Sequence, residues 1–120
     1  MLKIILALSV VLSMANCYYF AYPYYVSGNS SNWQKYTATP NGIFIDVDIC
    51  DLGLTKTPVV TTSLTCTSSC WSVSGVDSIY NLTNKGFRVY IRFNADIGNL
   101  TVETALRDNY VLNYVVFPRE

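Results

Sequence analysis

The chain has 120 residues, with eight basic and eight acidic side chains, no histidine and 51% hydrophobic residues. This length favours a single domain, and zero net charge argues against the basic face that proteins use to neutralise nucleic acid phosphates. The lack of histidine removes histidine-based catalysis and most zinc or copper sites, and the apolar content excludes a disordered chain.

The first fifteen residues have the pattern of a secretory signal peptide. One basic residue, Lys3, precedes an apolar run over 4–12, and Ser13-Met14-Ala15 has the small residues of a cleavage site. The apolar run is too short to span a bilayer, which takes about 20 residues. We therefore expect residues 1–15 to be cleaved and the mature protein to be extracellular, with no membrane span.

A tyrosine-rich segment over 16–32 follows the signal, and we expect the folded domain over 33–120. Six aromatic side chains lie within eight positions around Pro23. A strand packed on the domain explains them, since about half of the side chains of a strand point inward. The alternative is an aromatic platform on which sugar rings stack.

The four cysteines, Cys17, Cys50, Cys66 and Cys70, are an even number in an exported chain, which indicates two disulfides. Three pairings are possible. The short polar turn from Cys66 to Cys70 can close on itself, which leaves Cys17 to pair with Cys50. Their spacing lacks the paired Cys-x-x-Cys knuckles of zinc ribbons, so we expect no metal.

Three N-glycosylation sequons agree with export, and they predict a glycoprotein if the host glycosylates asparagine. They begin at Asn29, Asn81 and Asn99, and none has proline at its middle position. Each site that is used marks a position on the protein surface.

Apolar and polar residues alternate along the rest of the chain, as in strands with one buried face. The last of these runs is apolar on both faces, which predicts a central strand or a subunit contact. Gly75 separates two short runs and predicts a bulge or bend. The predicted strands lie over 43–49, 58–64, 71–74, 79–82, 87–93 and 110–117.

Turn residues fall between these runs, and no window longer than about ten residues keeps a helical period. One helical turn is possible over 101–107. Six or more short strands with turns at this spacing predict an all-β sandwich or barrel.

The order of motifs resembles that of the H-type lectin domain of snail agglutinins and slime-mould discoidins. The resemblance runs from Trp33 to about Phe117, and its most specific part is Asn84-Lys85-Gly86-Phe87 set after Pro58-Val59-Val60. It implies a six-stranded antiparallel β-sandwich. It also implies binding of extracellular glycans, usually of N-acetylgalactosamine type, by trimers or hexamers.

The binding loops of that family correspond to three stretches here: the loop 40–42, the region of Trp71 and the loop 93–96. Recognition of a sugar needs amide or carboxylate acceptors, a guanidinium fork and an aromatic face. Each of these residues also has a structural explanation, as a turn former or as part of a solvated strand face. The candidate carbohydrate-binding residues are Asn41, Trp71, Arg92, Asn94 and Asp96.

Three further carboxylates, Asp46, Asp48 and Asp51, have the chemistry of calcium ligands. Asp46 and Asp48 share one strand face. The alternative explanation is a solvent-facing sheet edge guarded by charge against pairing with another sheet.

The sequence predicts a secreted, lectin-like protein whose partners are glycans and other copies of itself. It indicates no cofactor and no enzymatic activity, because no nucleophile has an adjacent base and there is no Gly-x-Ser-x-Gly motif. The alternative is a structural or adhesion protein that contacts other proteins through tyrosine-rich, weakly charged faces.

Overall fold

The computed structural model describes residues 24–38, 41–94 and 98–119. Short 3-10 turns at Cys50–Leu52 and Cys70–Ser72 accompany eight strands and one short helix in this part of the chain. The elements are β1 (Val26–Ser30), β2 (Gln34–Tyr36), β3 (Gly42–Asp48), β4 (Val59–Thr65), β5 (Val73–Ser74), β6 (Ile79–Tyr80), β7 (Gly86–Phe93), α1 (Val102–Arg107) and β8 (Val111–Phe117).

The strands form two antiparallel sheets, which confirms the all-β prediction. One sheet has the order β1-β8-β4. The other has the order β2-β3-β7-β5, with β6 paired to the same side of β7 as β5. The described residues form eight strands where the resemblance implied six, and the two shortest, β5 and β6, have two residues each.

The core lies between the sheets, and strand alternation explains it. In β3 and β7 every second side chain points inward, because side chains alternate across a strand. Leu112 and Val116 of β8 and Val60 of β4 meet them from the other sheet, and the Phe87 and Tyr114 rings pack edge to face with centroids 5.7 Å apart. The most deeply buried inward residues of the larger sheet are Ile43, Ile45, Val89 and Ile91.

Strand β8 is the middle strand of its sheet. The run that is apolar on both faces is therefore central, which is the first of the two predicted positions. It pairs with β1 from Val26 opposite Val116 to Ser30 opposite Leu112. Strand β1 therefore belongs to the sandwich, although it lies N-terminal to Trp33. The predicted helical turn is also confirmed as α1, where the Thr101 hydroxyl caps the helix by accepting from the Thr104 amide at 3.2 Å.

Trp33 joins the two sheets at the point where the chain crosses from β1 to β2. Its side chain is buried, and its indole Nε1 donates to the carbonyl oxygen of Tyr110 at 2.9 Å. Tyr110 is itself fully buried. A buried carbonyl needs such a donor, so the indole supplies both packing and a hydrogen bond.

The Cys66–Cys70 disulfide is present, as predicted. The loop it closes is fastened to the turn after α1, since the Ser69 hydroxyl donates to Asp108 Oδ2 at 2.7 Å and lies 2.9 Å from the Tyr110 hydroxyl. The Asp108 carboxylate also accepts from Arg107 Nε at 2.9 Å. The hydrogen bonds from Arg107 and Ser69 lower the pKa of Asp108 to about 2.

This carboxylate predicts a loss of stability in acid. A carboxyl group whose pKa is lower in the folded state stabilises the fold above its unfolded pKa, and the effect disappears as pH falls through the folded value. The stability advantage of the wild type over Asp108→Asn should therefore shrink between about pH 4 and about pH 2. Urea unfolding of both proteins across this range measures it.

The control for that experiment is Asp77→Asn, because the structure shows Asp77 as exposed and without a hydrogen bond or ion pair to any described residue. This variant should follow the wild type at every pH. An Asp108→Asn deficit of the same size at pH 2 as at pH 5 would mean that the asparagine merely fits the hydrogen bonds poorly.

Cys50 is exposed and has no disulfide partner among the described residues. Its expected partner, Cys17, lies outside them, so that pairing stays a prediction. The Cys50 amide donates to Asp48 Oδ1 at 2.8 Å, and this hydrogen bond lowers the pKa of Asp48.

Over the ranges that the structure describes, no helix has the length and apolar character needed to cross a membrane.

Candidate functional site

An aromatic cluster covers the outward face of the five-stranded sheet. It consists of Tyr36 on β2, Phe44 on β3, Tyr90 on β7 and Tyr80 on β6. These residues face away from the core because their strand neighbours, such as Ile43 and Ile91, point inward. Phe44 stands directly opposite Tyr90 in the β3–β7 pair, so the sheet register places four rings side by side on one surface.

Tyr90 is the centre of this cluster. Its ring centroid lies 4.9 Å from that of Tyr36, 5.0 Å from that of Tyr80 and 5.8 Å from that of Phe44. The Tyr80 and Tyr90 rings meet edge to face at 87°. These separations are in the range in which aromatic pairs attract one another, so the rings hold each other in place.

Arg88 fixes one side of the cluster. Its Nε and Nη2 donate to the two oxygens of Asp46 at 2.6 and 2.8 Å, and its Nη1 donates to the Tyr90 hydroxyl at 3.1 Å. Its guanidinium carbon lies 4.2 Å from the centroid of the Phe44 ring. The hydrogen bonds from Arg88 lower the pKa of Asp46, and Asp46 in turn raises the pKa of Arg88.

Beside the cluster lies an open cleft of about 630 Å³. Tyr36 and Tyr80 line its two sides, and Tyr90 lies between them. This volume is within the range of about 300–1,000 Å³ that is usual for small-molecule sites. The polar lining consists of Ser74, Ser78, Asn81 and Arg92.

Two glycines shape the cleft. Gly42 stands opposite Tyr36 in the β2–β3 pair, and a side chain at Gly42 would collide with the Ile91 carbonyl oxygen. Gly75 has a φ of +97° and lies between β5 and β6, where a Cβ would collide with the carbonyl oxygen of Tyr90. The predicted bend at Gly75 is therefore confirmed, and it forms part of the cleft wall.

Of the five candidate binding residues, Arg92 lies in the cleft. It is exposed and stands opposite Ser74 in the β5–β7 pair. In contrast to Arg88, it makes no ion pair with any acidic side chain in the described part of the chain.

Trp71 and Asn94 lie at the same end of the sheet as Arg92 but do not line the cleft. The Asn94 amide donates to the Ser72 carbonyl oxygen at 2.7 Å, which places Asn94 beside the 3-10 turn that carries Trp71. The Trp71 side chain is 89% exposed.

Asn41 lies against a second, smaller cleft, of about 390 Å³, which is lined also by Tyr36, Gly42 and Asn99. With its amide oriented to satisfy its neighbours, Asn41 donates to the carbonyl oxygens of Thr37 and Ala38 and accepts from the Asn99 amide at 3.3 Å. These bonds are those of a turn former. The fifth candidate, Asp96, lies outside the described residues.

Two of the three carboxylates considered as calcium ligands, Asp46 and Asp48, accept hydrogen bonds from protein donors. Asp46 accepts two hydrogen bonds from Arg88, and Asp48 accepts one from the Cys50 amide. In the described ranges no three metal-binding side chains come together. Strand β2 begins at Gln34, opposite Phe44, so from Ile45 onward β7 is the described neighbour of β3. Asp46 thus lies near a partly open edge, but its carboxylate serves the Arg88 pair.

All three sequon asparagines, Asn29, Asn81 and Asn99, are exposed and accessible to glycosylation. Asn81 has a φ of +55° and lines the aromatic cleft next to Tyr80. A glycan attached at Asn81 would therefore occupy the same surface as a ligand.

The sequence analysis missed the cluster residues Tyr36, Tyr80 and Tyr90. Alternation placed Tyr90 with the arginines on the outward face of its strand, which was a usable signal. Tyr36 and Tyr80 lie 54 and 10 positions away along the chain, and only strand pairing brings them beside Tyr90.

No family model, curated protein or solved structure matches this chain.

Proposed function

We propose that this protein is a secreted, lectin-like carbohydrate-binding protein that holds its ligand in the aromatic cleft. The observation that carries the proposal is the cleft itself, in which the rings of Tyr36, Tyr80 and Tyr90 adjoin hydroxyl, amide and guanidinium groups. Sugars present apolar C–H faces together with many hydroxyls, so this combination of an aromatic wall and hydrogen-bonding groups suits them.

The H-type lectin resemblance supports the same proposal. A two-sheet antiparallel sandwich is the architecture that the resemblance implied. Of the motifs that carry the resemblance, Trp33 is a core residue, Val59-Val60 begin β4 and Gly86-Phe87 begin β7. By this analogy the ligands are glycans of cell surfaces or of the extracellular space, with N-acetylgalactosamine-type sugars included.

A glycan array with the purified mature chain tests the proposal, with the enzymatically deglycosylated chain in parallel because Asn81 lies in the cleft wall. Tyr80→Ala should weaken binding by about tenfold, since a stacked ring contributes about 1 kcal/mol or slightly more. Tyr25→Ala is the matched control, because Tyr25 is 58% exposed, Tyr80 is 50% exposed, and Tyr25 lies outside the cleft. If the folded protein binds no sugar on the array, the proposed function is wrong.

A second candidate is an adhesion protein that assembles with copies of itself through the three-stranded sheet. Among the described strands, β4 is an edge of that sheet, and its seven residues contain no charge and no proline, the residues that usually protect an edge from pairing. Val59, the first residue of β4, and Tyr25, just before β1, leave apolar surface exposed. Sedimentation velocity distinguishes the two candidates. An oligomer that forms with rising protein concentration, and that added glycans do not change, favours adhesion. A protein that stays monomeric contradicts adhesion.

A further inference from the structure

One charge in the aromatic cleft is not balanced by the described protein. Arg92 is exposed and lines the cleft, and no described side chain neutralises it. Arg88, four residues earlier on the same strand face, differs in this respect, because Asp46 binds it with two hydrogen bonds. Both arginines lie on the outward face of β7. Arg88 is held in an ion pair within the protein, and Arg92 is available to bind a ligand.

Among the described residues, the lining of the cleft contains no carboxylate. Asp77, in the turn between Gly75 and Ser78, is the acidic residue nearest in sequence to that wall, and it is not among the lining residues. A cation that faces aromatic rings and hydroxyls with no described acid beside it gives this wall of the cleft a positive potential. Charged side chains are only 13% of this chain, and Arg92 is the charged residue of the described lining. The positive potential of this surface therefore depends on Arg92.

We propose that the cleft binds anionic glycans, in which a carboxylate or a sulfate group on the sugar is held by Arg92. This inference rests on the proposed carbohydrate-binding function and names its ligand class. The guanidinium presents parallel N–H donors that match the two oxygens of a carboxylate or a sulfate. The hydroxyl of Ser74, opposite Arg92, lies on the same wall and provides a further donor. The Tyr80 and Tyr90 rings receive the apolar face of the sugar.

Calorimetric titration with matched pairs of sugars tests this inference. The pairs are N-acetylgalactosamine with its 6-sulfate, and lactose with 3′-sialyllactose, so the two arms separate sulfate from carboxylate. We expect at least one charged sugar to bind about 10- to 100-fold more tightly than its neutral parent, as charge-assisted hydrogen bonds provide. Added salt should reduce this preference, because it screens the charge pair.

Two variants assign the preference to a residue. Arg92→Gln should bring the charged and neutral sugars to within about twofold of each other. Lys35→Gln is the matched control, because it removes an exposed positive charge from β2 of the same sheet but outside the aromatic cleft. It should keep the full preference. Since both positions are exposed, equal melting temperatures would show that both variants fold.

The possible outcomes are distinct. Neutral and charged sugars that bind the wild type equally would overturn this inference and leave the carbohydrate-binding function standing. Folded protein that binds none of the four sugars and no glycan on the array would overturn both. A preference for anions that survives Arg92→Gln, or that Lys35→Gln removes equally, would overturn the role of Arg92.

Discussion

Replacing Trp33 by alanine is expected to lower the free energy of unfolding by about 3–5 kcal/mol, the usual cost of removing a buried aromatic ring. Trp33 is 6% exposed and contacts the core where the chain passes from one sheet to the other. Since a domain of this size has a total stability of about 5–15 kcal/mol, the variant should melt at least about 12 °C lower.

Two further variants separate the contributions of that side chain. Trp33→Phe keeps much of the ring but leaves the Tyr110 carbonyl oxygen without its indole donor, which should cost about 1–3 kcal/mol. Trp71→Ala is the matched control, because Trp71 is 89% exposed and its loss should change stability by no more than about 0.5 kcal/mol.

Urea unfolding followed by far-ultraviolet circular dichroism measures these differences in all the variants, and tryptophan fluorescence adds a second signal where Trp33 is kept. The chain has two tryptophans, so in the Trp71→Ala protein the emission comes from Trp33 alone and reports on the core. If Trp71→Ala were as destabilising as Trp33→Ala, the assignment of Trp33 to the core and of Trp71 to the surface would be wrong.

The strands were predictable from the sequence where one face of a strand is buried. In β3 and β7 the inward residues alternate strictly with polar or aromatic ones, and this period defines both the strand and its core face. The short strands β5 and β6 were harder to delimit. Each is a two-residue segment fixed by its pairing with β7 rather than by a pattern of its own.

The candidate site was only partly predictable, and the two arginines show the reason. Arg88 and Arg92 both occupy the outward face of β7, so the sequence pattern treats them alike. Asp46 stands opposite Arg88 because of the β3–β7 register, which is a property of the sheet and not of either strand. Arg92 was already a candidate binding residue from the sequence, but the strand pairing was needed to show that Arg88, and not Arg92, is paired with an acid.

The same reasoning explains the position of the cleft. The sequence analysis looked for binding residues in loops, and it found Asn41, Trp71 and Asn94 near one end of the larger sheet. The aromatic surface lies instead on the sheet face, where rings from β2, β3, β6 and β7 meet. Alternation placed Tyr90 on the outward face of its strand, but no local signal in the sequence placed Tyr36 and Tyr80 beside it.

Gly75 connects the stability of the fold with the shape of the cleft, and Gly75→Ala is expected to cost about 2–5 kcal/mol. About 1–2 kcal/mol comes from placing a Cβ on a backbone with φ of +97°. The collision of that Cβ with the Tyr90 carbonyl oxygen adds about 1–3 kcal/mol. This oxygen belongs to the backbone of β7, between β3 and the β5–β6 pair, so it cannot move aside by a side-chain rotation.

Gly98→Ala is the matched control, since Gly98 has a φ of +102° and a Cβ there would meet no atom of the described residues within 4 Å. It should cost only the conformational part, about 1–2 kcal/mol. The difference between the two variants in chemical denaturation therefore measures the contact with β7. Because relief of the collision pushes the β5–β6 connection away from β7, Gly75→Ala should also weaken the proposed glycan binding, whereas Gly98→Ala should not. Equal losses of stability in both variants would show that the connection moves freely and that Gly75 does not hold the cleft wall in place.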